Sequence, residues 1–161
     1  MKIYIRTTGN RSLKQFENLE YTALMDKERT GCSGYFKQLQ ELSTVDDDIL
    51  LLEDDIKLRP WFMDSLNDLI KISKNKYIIN MSQPYATIRL FEPKNFIWTR
   101  AIYYPKGSIA KFMKNYNEDM LKLDKYYDKI QSHLLVDNYI GVPSIMNIID
   151  IKCKSLMNYK D

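Results

Sequence analysis

Histidine and cysteine are nearly missing from this chain, which has one histidine, His133, and two cysteines, Cys32 and Cys153, in 161 residues. Zinc-finger arrangements need four such ligands at close spacing, so the count excludes them. The cysteines stand far apart without CxxC spacing and read as free thiols of a reducing compartment, with a disulfide between them left open. Glycine and proline are scarce, at five each, and no repeat, linker or low-complexity segment appears. No run approaches the roughly 20 apolar residues of a membrane span. The opening Met1-Lys2-Ile3-Tyr4-Ile5-Arg6 turns polar at once, unlike a signal peptide, and a cytoplasmic location is expected. Neither GxGxxG nor a P-loop is present.

Tyrosine and lysine are plentiful, and the apolar fraction of 45% is ordinary for a chain that buries a core. The length fits one domain over 1–161. The formal charge of +3 is small, with acids and bases interspersed, so a polyanionic partner is neither demanded nor excluded. Lys71 to Lys76 and Lys122 to Lys129 are locally basic and read mainly as solvated faces.

The chemistry is concentrated at Ile49 to Ile56, where four aliphatic residues run directly into Glu53, Asp54 and Asp55. A continuous apolar run suits a strand buried on both faces, and acids just past its end emerge at the edge where open α/β sheets bind ligands. Unpaired carboxylates packed together repel one another. A hard divalent cation, Mg²⁺ or Mn²⁺, relieves that repulsion.

Around that junction the pattern predicts alternating strands and helices. Ile3 and Ile5 mark a first strand ending in a polar turn from Thr7 to Ser12. Phe16, Leu19, Ala23 and Leu24 predict a helix from Lys14 that ends before Gly31, with Ser12 as its cap. Tyr35, Phe36, Leu39 and Leu42 trace a second helix. Pro60 starts a third, buried through Phe62, Leu66, Leu69 and Ile70. Strands are expected at Tyr77 to Met81, Phe96 to Tyr104 and Val142 to Ile149, with a short one conceivable at Thr87 to Phe91. Further helices are expected at Gly107 to Tyr116 and Tyr127 to Tyr139. The order predicts an α/β fold with a mainly parallel mixed sheet flanked by helices.

The segment Leu51-Leu52-Glu53-Asp54-Asp55-Ile56, followed by Pro60 and Phe62, resembles the strand-plus-acid signature of GT-A glycosyltransferases, especially the lipopolysaccharide-type family 25. Landmarks similar to that group occur in order: Arg11, Gly31-Cys32, Trp98 to Tyr104 with Lys106-Gly107 and Ala110, Asp137, and Val142-Pro143-Ser144-Ile145. The resemblance implies a Rossmann-like GT-A fold that binds a nucleotide sugar through a DxD-type motif and Mn²⁺ or Mg²⁺. Asp55 is then the metal ligand, and Glu53 or Asp54 faces ribose or the donor sugar. Arg6 and Arg11 flank the first strand-to-helix turn, where guanidinium meets diphosphate. Thr7 suits the base or ribose, and Gly31 lets backbone approach the nucleotide. Asp137 occupies the place of a base that deprotonates the acceptor hydroxyl, with inversion. One departure stands out: related transferases carry a histidine after the Pro-Ser segment, and this chain has Asn147 to Asp150 there. Three readings of that departure stay open: Asp150 substitutes as a hard ligand, the protein relies less on metal, or catalysis has been lost.

These features imply a metal-dependent glycosyltransferase whose acceptor is a saccharide, lipid-linked, protein or modified nucleic-acid hydroxyl. A reduced fold that binds a nucleotide sugar or macromolecule without turnover is the second expectation. Phosphoryl or nucleotidyl transfer ranks third, for want of a phosphate cradle.

Overall fold

A computed structural model of the chain describes residues 1–27, 30–122, 124 and 126–151; Cys153 lies outside the described residues. At its centre is β3 (Ile49–Glu53), whose four aliphatic residues are all buried. Leu50 and Leu52 point into one core with Phe62, Leu66 and Met81, whereas Ile49 and Leu51 point into another with Tyr35, Leu39 and Phe112. A strand with two apolar faces needs cover on both, and the helices supply it. The first core is covered by α2 (Phe62–Ile72), and the second by α1 (Cys32–Leu42), α3 (Ser108–Met113) and α4 (Tyr127–Leu134).

Seven strands form the sheet, in the order β2-β1-β3-β7-β5-β8-β6. The others are β1 (Lys2–Thr7), β2 (Thr22–Met25), β5 (Ile79–Gln83), β6 (Arg89–Phe91), β7 (Ala101–Tyr104) and β8 (Tyr139–Pro143). Ladders β1–β2, β1–β3 and β5–β8 are parallel, and β7 runs against both β3 and β5, as β6 does against β8. The protein is thus α/β, with a mixed sheet of mostly co-directional strands between helices, compatible with a Rossmann-like arrangement. A two-stranded ladder of β4 (Ile56–Leu58) and β9 (Ile148–Asp150) sits beyond the ends of β3 and β8.

The helix expected from Lys14 is not formed. A 3-10 turn at Lys14–Phe16 and the edge strand β2 occupy that stretch. Phe16 and Leu19 pack into one core and Leu24 into the other, which a single helical face cannot do; pairing Tyr4 with Thr22 through Thr7 with Met25 satisfies the backbone instead. The strand expected at Phe96 to Tyr104 is confined to Ala101–Tyr104, because Trp98 adopts a left-handed φ of 55°. The last long helix stops at Leu134. Val142 to Ile149 divides between the end of β8, the short α5 (Ser144–Asn147) and β9.

Candidate functional site

Strands β1, β2 and β3 end at one edge of the sheet, and their last residues meet there. Arg6, near the end of β1, donates from Nε to Gln38 Oε1 at 2.8 Å and from a terminal nitrogen to Glu53 Oε1 at 3.0 Å. Its guanidinium carbon lies 4.5 Å from the Tyr35 ring centroid and 5.4 Å from that of Tyr127. Burial works against the charge on Arg6, but Glu53, Tyr127 and Tyr35 more than offset it and carry its pKa above the ordinary value. Glu53 Oε1 also accepts from Thr99 Oγ1 and the Tyr127 hydroxyl, each at 3.0 Å. Glu53 therefore ties β1, β3, α4 and the approach to β7 together.

Asp54 is similarly occupied. Its Oδ2 accepts from Thr7 Oγ1 at 2.5 Å, its Oδ1 from Arg11 at 2.6 Å, and its carbonyl from Gln15 at 3.1 Å. Asp55 differs from both neighbours, because its Oδ1 is buried without a hydrogen-bond partner. Burial first, then repulsion from Glu53, pushes the Asp55 carboxyl up to about 6 against the opposing pull of Arg100 and Arg11. Thr8 Oγ1, just past the end of β1, is likewise buried and unpartnered. Buried polar atoms without partners are rare in native proteins and mark places where a ligand, ion or water completes the set.

The far side of the acids is built by the segment before β7. Arg100 O accepts from Glu53 N at 2.8 Å, and Asp55 O accepts from Ile151 N at 2.8 Å. Arg100 pairs with Asp150 and lies 5.0 Å from the Trp98 ring centroid. Beneath it, fully buried Asn80 donates to both Ile97 O, at 3.0 Å, and Trp98 O, at 2.8 Å; buried Gln83 donates to Ile97 O at 2.7 Å. In the sequence Asn80 had no distinguishing mark beyond being polar within the strand expected at Tyr77 to Met81, and Gln83 fell outside that strand, which β5 extends to include it.

The expected site residues thus divide. Arg6, Thr7, Arg11, Glu53, Asp54 and Asp55 converge at one edge. Gly31 is the N-cap of α1, with φ 59°, on the same side of the sheet because α1 follows β2. Asp137 is not brought to them: it precedes β8, whose Ile140 is in register with Ile79 at the start of β5, and so lies at the opposite edge. There it forms an exposed ion pair with Lys111 of α3. Asp150, pairing with Arg100, is the late acid at the motif's own edge.

A resident Mg²⁺ or Mn²⁺ fits this arrangement in a restricted way. Among the described residues no group of three or more His, Cys, Asp or Glu side chains is gathered for a metal; both Asp54 side-chain oxygens and Glu53 Oε1 accept from protein donors. Asp55, with an open buried oxygen, offers a single carboxylate, which suits a cation that takes its other ligands from water and substrate phosphate. A groove of about 830 Å³ runs beside β2 and α1, lined by residues including Met25, Lys27, Ser33, Lys37 and Tyr116. It shares Gln38 with the Arg6 network.

No protein-family model matches the chain, and no curated protein matches it. Among solved structures it is similar to A197 from STIV, with a TM-score of 0.58 over 89% of this chain and 83% of that one at 9% sequence identity. At that identity the likeness is one of fold.

Proposed function

We propose that the chain is a glycosyltransferase that moves a sugar from a nucleotide-diphosphate donor to an acceptor hydroxyl, with Asp55 as its metal ligand. The observation that carries this reading is the unpartnered, buried Asp55 oxygen at the end of β3, flanked by cationic Arg11 and Arg100. Mn²⁺ or Mg²⁺ held there would neutralise charge gathering on the diphosphate leaving group. Thr7 and Arg11 clamp Asp54 and so fix the turn that presents Asp55. Glu53, engaged by Arg6, Thr99 and Tyr127, acts as a brace. The nucleoside would occupy the groove beside β2 and α1. Direct displacement with inversion needs a base at this edge; Asp137 lies at the other, and Asp150 is the candidate that takes its place.

The test is a thermal-shift screen of UDP-, GDP- and CDP-sugars with and without Mn²⁺, since a ligand selective for the folded state raises stability by mass action. A metal-dependent shift that Asp55→Ala abolishes, followed by sugar transfer, supports the reading. It is abandoned if no donor shifts the protein and Asp55→Ala changes no activity. A second reading, donor binding without turnover, is favoured by the absence of a gathered carboxylate set among the described residues. Binding by calorimetry with no sugar release over all tested acceptors would select it.

A further inference from the structure

Trp98 is held in a conformation that a tryptophan ordinarily avoids. A bulky residue at φ 55° is an outlier, and such strain persists only where surrounding contacts over-determine it. Here they do: Asn80 holds the carbonyls of Ile97 and Trp98, Gln83 holds Ile97 a second time, and Asp128 Oδ2 accepts from Trp98 N at 3.2 Å. Ser82 donates to Asn80 Oδ1 from both its amide and its hydroxyl, which fixes the orientation of the Asn80 amide. The Tyr139 hydroxyl anchors Asn95 O at 2.7 Å. All this buried polar structure supports an indole that is 38% exposed. Core packing does not explain the arrangement, because the ring is not in a core.

We propose that Trp98, with the Arg100–Asp150 pair laid against one face of its ring, is a saccharide-binding platform that receives the acceptor sugar. Trp98 precedes Thr99, which donates to Glu53, and so adjoins the acidic turn on its β7 side. The nucleoside groove lies on the opposite side, at β2. The indole face opposite Arg100 offers a flat apolar surface to the C–H face of a pyranose. The ion pair supplies donors from Arg100 and acceptors from Asp150 together, which suits hydroxyls that both donate and accept. A phosphate would call for an uncompensated cation.

This proposal rests on the glycosyltransferase reading for the word acceptor, but the platform is tested without it. Saturation-transfer NMR with methyl glycosides of glucose, galactose and N-acetylglucosamine, and with their β-1,4 disaccharides, reads binding on the full chain. At least one is expected to bind, and Trp98→Gly to weaken it by about tenfold, the scale of one lost aromatic contact. Gly also relieves the left-handed backbone, so the melting temperature of that variant should hold or rise. A structural tryptophan would instead lower it. The proposal is overturned if no pyranoside binds, if UMP rather than any pyranoside receives saturation that Trp98→Gly abolishes, or if Trp98→Gly loses stability with binding intact. The donor screen above separates the two ideas. Donor shifts without pyranoside binding sink the platform alone, whereas pyranoside binding without donor shifts sinks the transferase reading alone.

Discussion

Glu53 and Asp55 are neighbours in the motif with opposite energetic standing. Glu53 is the counter-charge of a buried Arg6 and accepts from three side chains. Removing it in Glu53→Ala would strand that guanidinium, at a cost of about 3–5 kcal/mol measurable by urea unfolding. Tyr127→Phe deletes one of the three contacts and should cost only about 1–2 kcal/mol. Equal losses in the two variants would mean that the bonds to Glu53 do not set its value. Asp55 should behave in the other sense. Its carboxyl in the folded protein titrates near 6, above the ordinary 3.8, so folding disfavours its ionised form. The penalty is absent below about pH 4, grows as pH rises through 6, and is full above. Asp55→Asn, kept in chelator, should therefore stabilise the protein by up to about 3 kcal/mol at pH 8 and by almost nothing at pH 4. A gain that does not vary with pH would refute the burial argument. Three adjacent acids at a strand end were legible from the sequence; the division of roles among them was not. The partners that set it, Arg6, Thr99 and Tyr127, lie tens of residues away along the chain.

Elements announced by unbroken apolar pattern are found close to where the pattern puts them. Tyr35 to Leu42 and Phe62 to Ile70 lie in α1 and α2, and Ile49 to Leu52 in β3. Two of the failures share one cause. Residues 14–25 and 142–149 switch between faces or elements within a few positions, so local spacing averages over two environments. Leu24 belongs to a different core from Phe16 and Leu19, and only the strand pairing reveals it. The edge pair β6–β8 offers a sharp check at this scale. A Cβ on Gly141 would meet Phe91 ring atoms at 2.5 and 2.6 Å, and that ring is stacked on Tyr139. Gly141→Ala should cost about 1–3 kcal/mol through overpacking. Gly107→Ala meets nothing within 4 Å and bears only its φ of +77°, so about 1 kcal/mol is expected there. Chemical denaturation that ranks the two in the reverse order would show that the β6–β8 contact yields more easily than this packing suggests.

At the scale of the molecule, the antiparallel β7 separates two sets of co-directional strands, β2-β1-β3 on one side and β5-β8 on the other. It is also the sixth of these seven sheet strands to be reached along the chain, with only β8 still to come. Until residues 101–104 arrive, the facing edges of β3 and β5 have no partner, and two strands that end up buried stand with open backbone. The order of synthesis therefore runs against the order of assembly. Folding must wait for a late insertion into the middle of the sheet, a topology rich in long-range pairing and correspondingly slow. In pulsed hydrogen exchange during refolding, the β3 and β5 amides should gain protection in the same phase as those of β7. A phase that protects β3 and β5 first would contradict this. A chain stopped before residue 101 carries those exposed edges permanently and should aggregate rather than fold.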